Sequence, residues 1–177
     1  MMRKLLVLAL VLSVVGLANA GLSTTNLVPN RLDAVVDTVA QTITFVGLAP
    51  APSAAGAITG LAINMVLDVA ADYGALAYVS SAAGFTPTLG DGFEAAPGDW
   101  AGYSAMNVNG IIGNLVVFSY TGTPGKATLY SSPDWGAAEV GIRGDVSATS
   151  LDGKVIIIPE PMTMLLLGLG GLFLRKK

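Results

Sequence analysis

The chain has no cysteine and no histidine, and charged residues make up only 12% of its 177 positions. The first absence rules out disulfides and thiolate chemistry. The second removes imidazole ligands, Ser-His-Asp triads and Cys-His pairs, so few hydrolytic designs survive both. A cysteine-free chain suits a reducing and an oxidising compartment equally, and location has to be read from the termini. Basic residues are sparse across the centre: between Gly21 and Ile158 there are four, Arg31, Lys126, Arg143 and Lys154, against eleven acids, a net charge of −7. A surface of that sign repels phosphate, which argues against nucleic acid as a partner and makes an anionic membrane face a poor one for this region.

Hydrophobic residues reach 53%, and much of the excess lies in two terminal runs, Leu5 to Leu17 and Met162 to Leu174. Residues 1–20 have the organisation of a cleavable secretory signal. Arg3 and Lys4 hold the start at the cytoplasmic face, Leu5 to Leu17 supply the apolar stretch, and Ala18-Asn19-Ala20 puts small residues at both pocket positions of a signal peptidase. Cleavage is expected after Ala20, with the Sec translocon and signal peptidase as the implied partners. An uncleaved membrane helix is the competing reading. The shortness of the run, the small-x-small site and the polar Ser23 to Asn26 that follow weigh against it.

Residues 159–177 form a second address. Pro159-Glu160-Pro161 leads into the apolar run Met162 to Leu174, and Arg175-Lys176-Lys177 closes the sequence. Proline is favourable at the first turn of a helix. Thirteen residues at about 1.5 Å each reach roughly 20 Å, short of a hydrocarbon core of roughly 30 Å. Snorkelling of the basic side chains narrows the gap, so this helix is a marginal anchor. The positive-inside rule puts the cationic tail in the cytoplasm and the preceding domain on the far side. A buried helix of a soluble domain would not explain an all-round apolar run ending in three cations.

This assembly resembles the tripartite PEP-CTERM sorting signal of Gram-negative bacteria that tend to make exopolysaccharide. The resemblance covers about twenty residues and is specific only as a whole. It implies that Pro159, Glu160 and Pro161 are recognised by an exosortase, a membrane-embedded cysteine transpeptidase or protease. It further implies that the hydrophobic tail is removed or exchanged, with Arg175, Lys176 and Lys177 as the cytoplasmic stop. Two prolines enforce an extended segment that neither the preceding strand nor the following helix can absorb, which leaves Glu160 exposed at the membrane surface. Gly168, Gly170 and Gly171 weaken the helix by up to about 1 kcal/mol each in water and ease its release.

Between Gly21 and Ile158, short alternating segments separated by Gly, Pro, Asn and Asp predict a mainly β, single antiparallel β-sandwich over residues 21–158. Leu61 to Val69 is the clearest core strand, with Leu61, Ile63, Met65, Leu67 and Val69 on one face and Ala62, Asn64, Val66 and Asp68 on the other. Further strands are expected at 42–46, 75–79, 103–108, 114–120, 127–130, 138–142 and 154–158. Thr123-Pro124-Gly125-Lys126 reads as a turn joining two neighbouring strands, and Asp152-Gly153 as one preceding the last strand. Ala49 to Gly60 and Ser80 to Gly102 read as long loops. The strand pattern is similar in outline to the cohesin-like, jelly-roll-like sandwiches carried by short PEP-CTERM proteins, which implies a binding or structural module without naming a ligand.

Catalytic chemistry is not legible. Gly122 to Lys126 lacks the upstream glycine of a phosphate loop, and Ala127 stands where Ser or Thr should bind magnesium. Asp91, Glu94 and Asp99 share one Gly-rich loop; they lack EF-hand spacing, and solvated acids are the better reading than a calcium site. Glu94 and Asp99 as a glycosidase pair would need a separation that sequence spacing does not set. Trp100 with Tyr103, and Tyr130 with Trp135, are candidate sugar-stacking platforms, weighed against aromatics partly buried in the sandwich. The expectation is an exported, non-enzymatic protein with no cofactor and no metal. It would be membrane-anchored as a precursor through its C-terminal helix, then structural or adhesive at the cell surface or in the matrix. A carbohydrate-binding surface module, with exopolysaccharide as its partner, is the alternative.

Overall fold

Strict apolar alternation favours strands that bury one face, and the chain folds as two antiparallel sheets around one core. The computed structural model describes residues 21–48, 56–68, 75–85, 87–91, 100–132 and 136–159. The expected signal segment 1–20 and the tail from Glu160 onward lie outside them. Among the described residues there is no helix.

The first hairpin is β1 (Leu22–Val28) and β2 (Leu32–Asp37). Its turn places Pro29 and Asn30 centrally, with Arg31 N–H donating to Val28 O at 3.0 Å and Asn30 at φ 57°. Proline fixes the first central φ, and asparagine tolerates the left-handed second position. Next come β3 (Thr42–Gly47), β4 (Ile58–Leu67), β5 (Leu76–Ser81), β6 (Thr88–Asp91), β7 (Trp100–Ile111) and β8 (Gly113–Tyr120). The last four are β9 (Lys126–Leu129), β10 (Glu139–Ile142), β11 (Thr149–Ser150) and β12 (Val155–Ile157). One sheet has the order β1-β2-β3-β8-β5; the other runs β11-β10-β4-β7-β6, with β9 against the C-terminal half of β4 and β12 against β9.

Leu61, Ile63, Met65 and Leu67 are all buried, as the alternation of β4 requires. They meet Leu32, Ala34 and Val36 of β2, Ile43 and Phe45 of β3, and Val116 and Phe118 of β8 in one continuous cluster. Its aromatic centre joins the sheets. Phe118 meets Phe45 and Tyr103 edge-on, each at 6.1 Å between ring centroids, while Tyr78 stacks on Tyr103 at 6.2 Å and an interplanar angle of 20°. Tyr103 comes from one sheet and the other three rings from its opposite, so the group fastens the two layers.

Residues 21–41 hold a strand pair, β1 and β2, that their polar Ser, Thr and Asn residues disguise. Two expectations are corrected. The stretch Ser80 to Gly102 is not all loop, since β6 pairs with β7 from Thr88↔Ser104 to Asp91↔Ala101. The Thr123 to Lys126 turn does not join neighbours: β8 and β9 lie in different sheets. There the positive φ falls at Gly122 (79°) and not at Gly125. The Asp68 carboxylate instead accepts the Gly125 and Lys126 N–H groups at 2.9 and 3.0 Å, turning the chain across the core edge.

Candidate functional site

The best-defined candidate site is the pole at which the chain emerges from the fold on both sides of the domain. β12 ends at Ile157, and Ile158 is the last residue held firmly: its side chain is buried and its N–H donates to Gly125 O at 3.0 Å. Pro159 follows, half-buried. With Ile158 it lines a water-sized cleft of about 20 Å³ beside Thr38, Gln41, Tyr120, Gly122, Thr123 and Pro124. Proline has no N–H to continue the pairing with β9, so the pairing of β12 stops here.

Gly21 reaches the same place from the other end. Thr38 N–H donates to Gly21 O at 2.7 Å, and the Thr38 hydroxyl donates to the same oxygen at 3.2 Å. The Ser23 hydroxyl donates to Ile157 O at 3.3 Å. Thr38 therefore touches the first described residue and lines the same cleft as the last one. Two carboxylates shape this pole. Asp37 accepts the Val39 and Ala40 N–H groups, both at 2.9 Å, and Asp68 clamps the β8 to β9 crossing. Burial, with Asp37 nearby as a lesser cause, raises the Tyr120 pKa, so its phenol stays neutral against the cleft.

Of the residues expected to sort the protein, Pro159 sits at this pole, while Glu160, Pro161, Arg175, Lys176 and Lys177 lie outside the described residues. Ala18 and Ala20 do as well. Thr38 and Asp68 escape a sequence reading. Asp68 followed by Gly125 is a contact between segments far apart in the chain, and no local pattern announces it.

The aromatic candidates divide. Tyr103 is 3% exposed and belongs to the core. Its hydroxyl is buried without a hydrogen-bond partner, and the pKa is pushed up to about 12, chiefly by burial. The Ser81 hydroxyl opposes that shift without cancelling it, being engaged with Tyr78 at 3.0 Å and the Phe85 carbonyl at 3.4 Å. Trp100 opens β7 opposite Val66. Trp135 lies outside the described residues; Ser132 and Gly136, on either side of the gap, exchange backbone hydrogen bonds of 2.9 and 2.8 Å. Asn64, on the outward side of β4, donates its side-chain amide to Gly136 O at 3.0 Å. That contact covers Asn64, which is 3% exposed where alternation alone predicts a solvated side chain.

Asp91 ends β6; Glu94 and Asp99 lie outside the described residues. Among the described residues no three acids cluster as metal ligands would. No family model, curated protein or solved structure matches the chain.

Proposed function

We propose that this protein is an exported, membrane-tethered β-domain. Its residues 1–20 direct secretion, and its Pro159-Glu160-Pro161 segment is a PEP-CTERM-type sorting signal processed by an exosortase. The released domain serves a structural or adhesive role at the cell surface or in the extracellular matrix. We read its two-sheet architecture as cohesin-like and assign it no catalytic group.

One observation supports the topology above all: both termini of the described domain meet at one pole, linked through Thr38 and through the Ser23 to Ile157 hydrogen bond of 3.3 Å. A translocating chain held first by an N-terminal signal and then by a C-terminal anchor must present both ends to the same bilayer. Ile158 is buried in the fold and Pro159, which makes no strand pairing, follows it, so the proposed recognition segment begins where the described pairing ends.

Mass spectrometry of the mature termini in an exosortase-bearing host tests this. The expected product begins at Gly21 and ends within or near Pro159 to Pro161, and Glu160→Ala leaves intact C-terminal peptides in the membrane fraction. Recovery of the untrimmed chain from the cytosol overturns the reading.

The carbohydrate-binding alternative gains from one feature. Trp100 opens β7 opposite Val66, and Gly136, the residue after Trp135, accepts the Asn64 side-chain amide, so both tryptophans lie next in the chain or register to residues of or held by β4. Titration of tryptophan fluorescence with the host polysaccharide checks it, and the absence of a saturable change dismisses it.

A further inference from the structure

Among the described residues, three large apolar side chains stand out around the shared pole. Val39 is 82% exposed, Leu22 57% and Ile157 57%. Each adjoins the segment Gly21 to Ser23: Leu22 is part of it, a side chain on Gly21 would press on Val39 Cγ2 at 2.9 Å, and the Ile157 backbone carbonyl accepts the Ser23 hydroxyl. The described charged residues of this pole are Asp37, Asp68 and Lys126. Both carboxylates are tied to backbone N–H groups, and Lys126 stands opposite Ile157 in the β9 to β12 pairing.

We propose that Leu22, Val39 and Ile157 form a lipid-contact rim on which the domain rests while its C-terminal segment is in the membrane. This deepens the proposed function and depends on it. The occupant follows from the chain itself: the apolar run starts at Met162, three residues beyond Pro159, so it begins no more than about 11 Å from the pole. A rim held that close to a bilayer meets lipid at a very high local concentration, and small apolar contacts that would be negligible in a free protein become sufficient. Apolar side chains lower their free energy by entering the headgroup boundary, and the cation among them lies at headgroup level. The domain as a whole carries a charge that repels anionic surfaces, so the contact operates through apolar burial and persists on uncharged lipid and in high salt. The opposite pole also exposes Ile112 and Val146, but Arg143 and Asp145 lie within three residues of Val146 in the chain, and the Met162 to Leu174 run follows Pro159 at the first pole. Resting on the rim fixes the height of Pro159 at the membrane surface and turns the Pro-Glu-Pro segment toward an enzyme embedded in it.

The chain has no cysteine, so single labels are simple to place. Full-length protein carrying an environment-sensitive fluorophore at Val39→Cys, Ile157→Cys or Val146→Cys is reconstituted with phosphatidylcholine and phosphatidylethanolamine vesicles, with and without brominated acyl chains. All three sites are exposed, so the fold tolerates the label. The expected result is flotation of all three variants, blue-shifted and bromine-quenched emission at positions 39 and 157, and aqueous emission at 146, unchanged by salt. Flotation with aqueous emission at 39 and 157 overturns the rim and spares the tether. Failure to float overturns the tether, and the rim with it. Blue-shifted emission that bromine does not quench and that rises with protein concentration means a second copy covers the patch, which also overturns the lipid assignment.

Discussion

At the scale of single residues the clearest tension is Tyr103. Its ring is well used, stacked on Tyr78 and edge-on to Phe118, yet its hydroxyl is buried with no partner. An unsatisfied buried hydroxyl costs stability that a phenyl ring of the same shape does not. Tyr103→Phe is therefore expected to raise the thermal unfolding midpoint, by the equivalent of about 1 kcal/mol. The pH dependence has a definite sign. The folded pKa of about 12 lies above the unfolded value of 10.0, so above pH 10 the unfolded chain loses its proton first. The stability linked to this phenol is intact below pH 10 and lost as the pH climbs to about 12. Tyr120 adds a loss of the same sign. Denaturant unfolding between pH 9 and 12 should show a shallower alkaline decline in Tyr103→Phe than in the parent. Sequence proximity grouped Tyr103 with Trp100 as a sugar platform, but Tyr103 is buried and the core took it.

At the scale of elements, legibility followed the strength of alternation. β4 was readable because every second residue from Leu61 to Leu67 is large and apolar. β1 was hidden by its threonines and serine, for only Leu27 is large and buried among its residues. β2 alternates clearly, from Leu32 through Ala34 to Val36, but its outward Asp33 and Asp37 resemble loop acids. The β4 to β7 pairing holds a feature no pattern showed. From Met106 to Ile111 the β7 strand advances five residues while β4 retreats two, from Gly60 to Ile58. Gly110 absorbs the resulting bulge at φ 73°, and a Cβ there would sit 2.6 Å from Ala57 Cβ. Gly144 also has a positive φ, 97°, but open space around it. Both alanine variants incur the left-handed backbone penalty of about 1 to 2 kcal/mol, and only Gly110→Ala adds a steric clash. Parallel denaturation curves should place Gly110→Ala clearly below Gly144→Ala; equal losses would mean the bulge relaxes freely.

At the scale of the whole molecule, the fold itself limits where the proposed sorting protease could cut. β12 is a short terminal strand, but Ile156 is fully buried and Ile158 is 3% exposed, and Val155, Ile156 and Ile157 pair with Thr128, Ala127 and Lys126. Removing both isoleucines from the core forfeits about 1.5 to 3 kcal/mol apiece, and exposes Ala127 and Leu129 of β9. Against a total stability of about 5 to 15 kcal/mol, that loss would leave the domain close to unfolding. Beyond Ile158 the situation reverses, because Pro159 lies half-buried at the rim of a cleft and makes no strand pairing. A protein ending at Pro159 should therefore unfold at the same temperature as the intact chain, whereas one ending at Lys154 should melt far lower or fail to fold. Thermal unfolding of residues 21–159 against residues 21–154 measures the difference. Equal midpoints would show that β12 is dispensable, and the boundary between the fold and the proposed sorting signal would then have to be drawn before Val155.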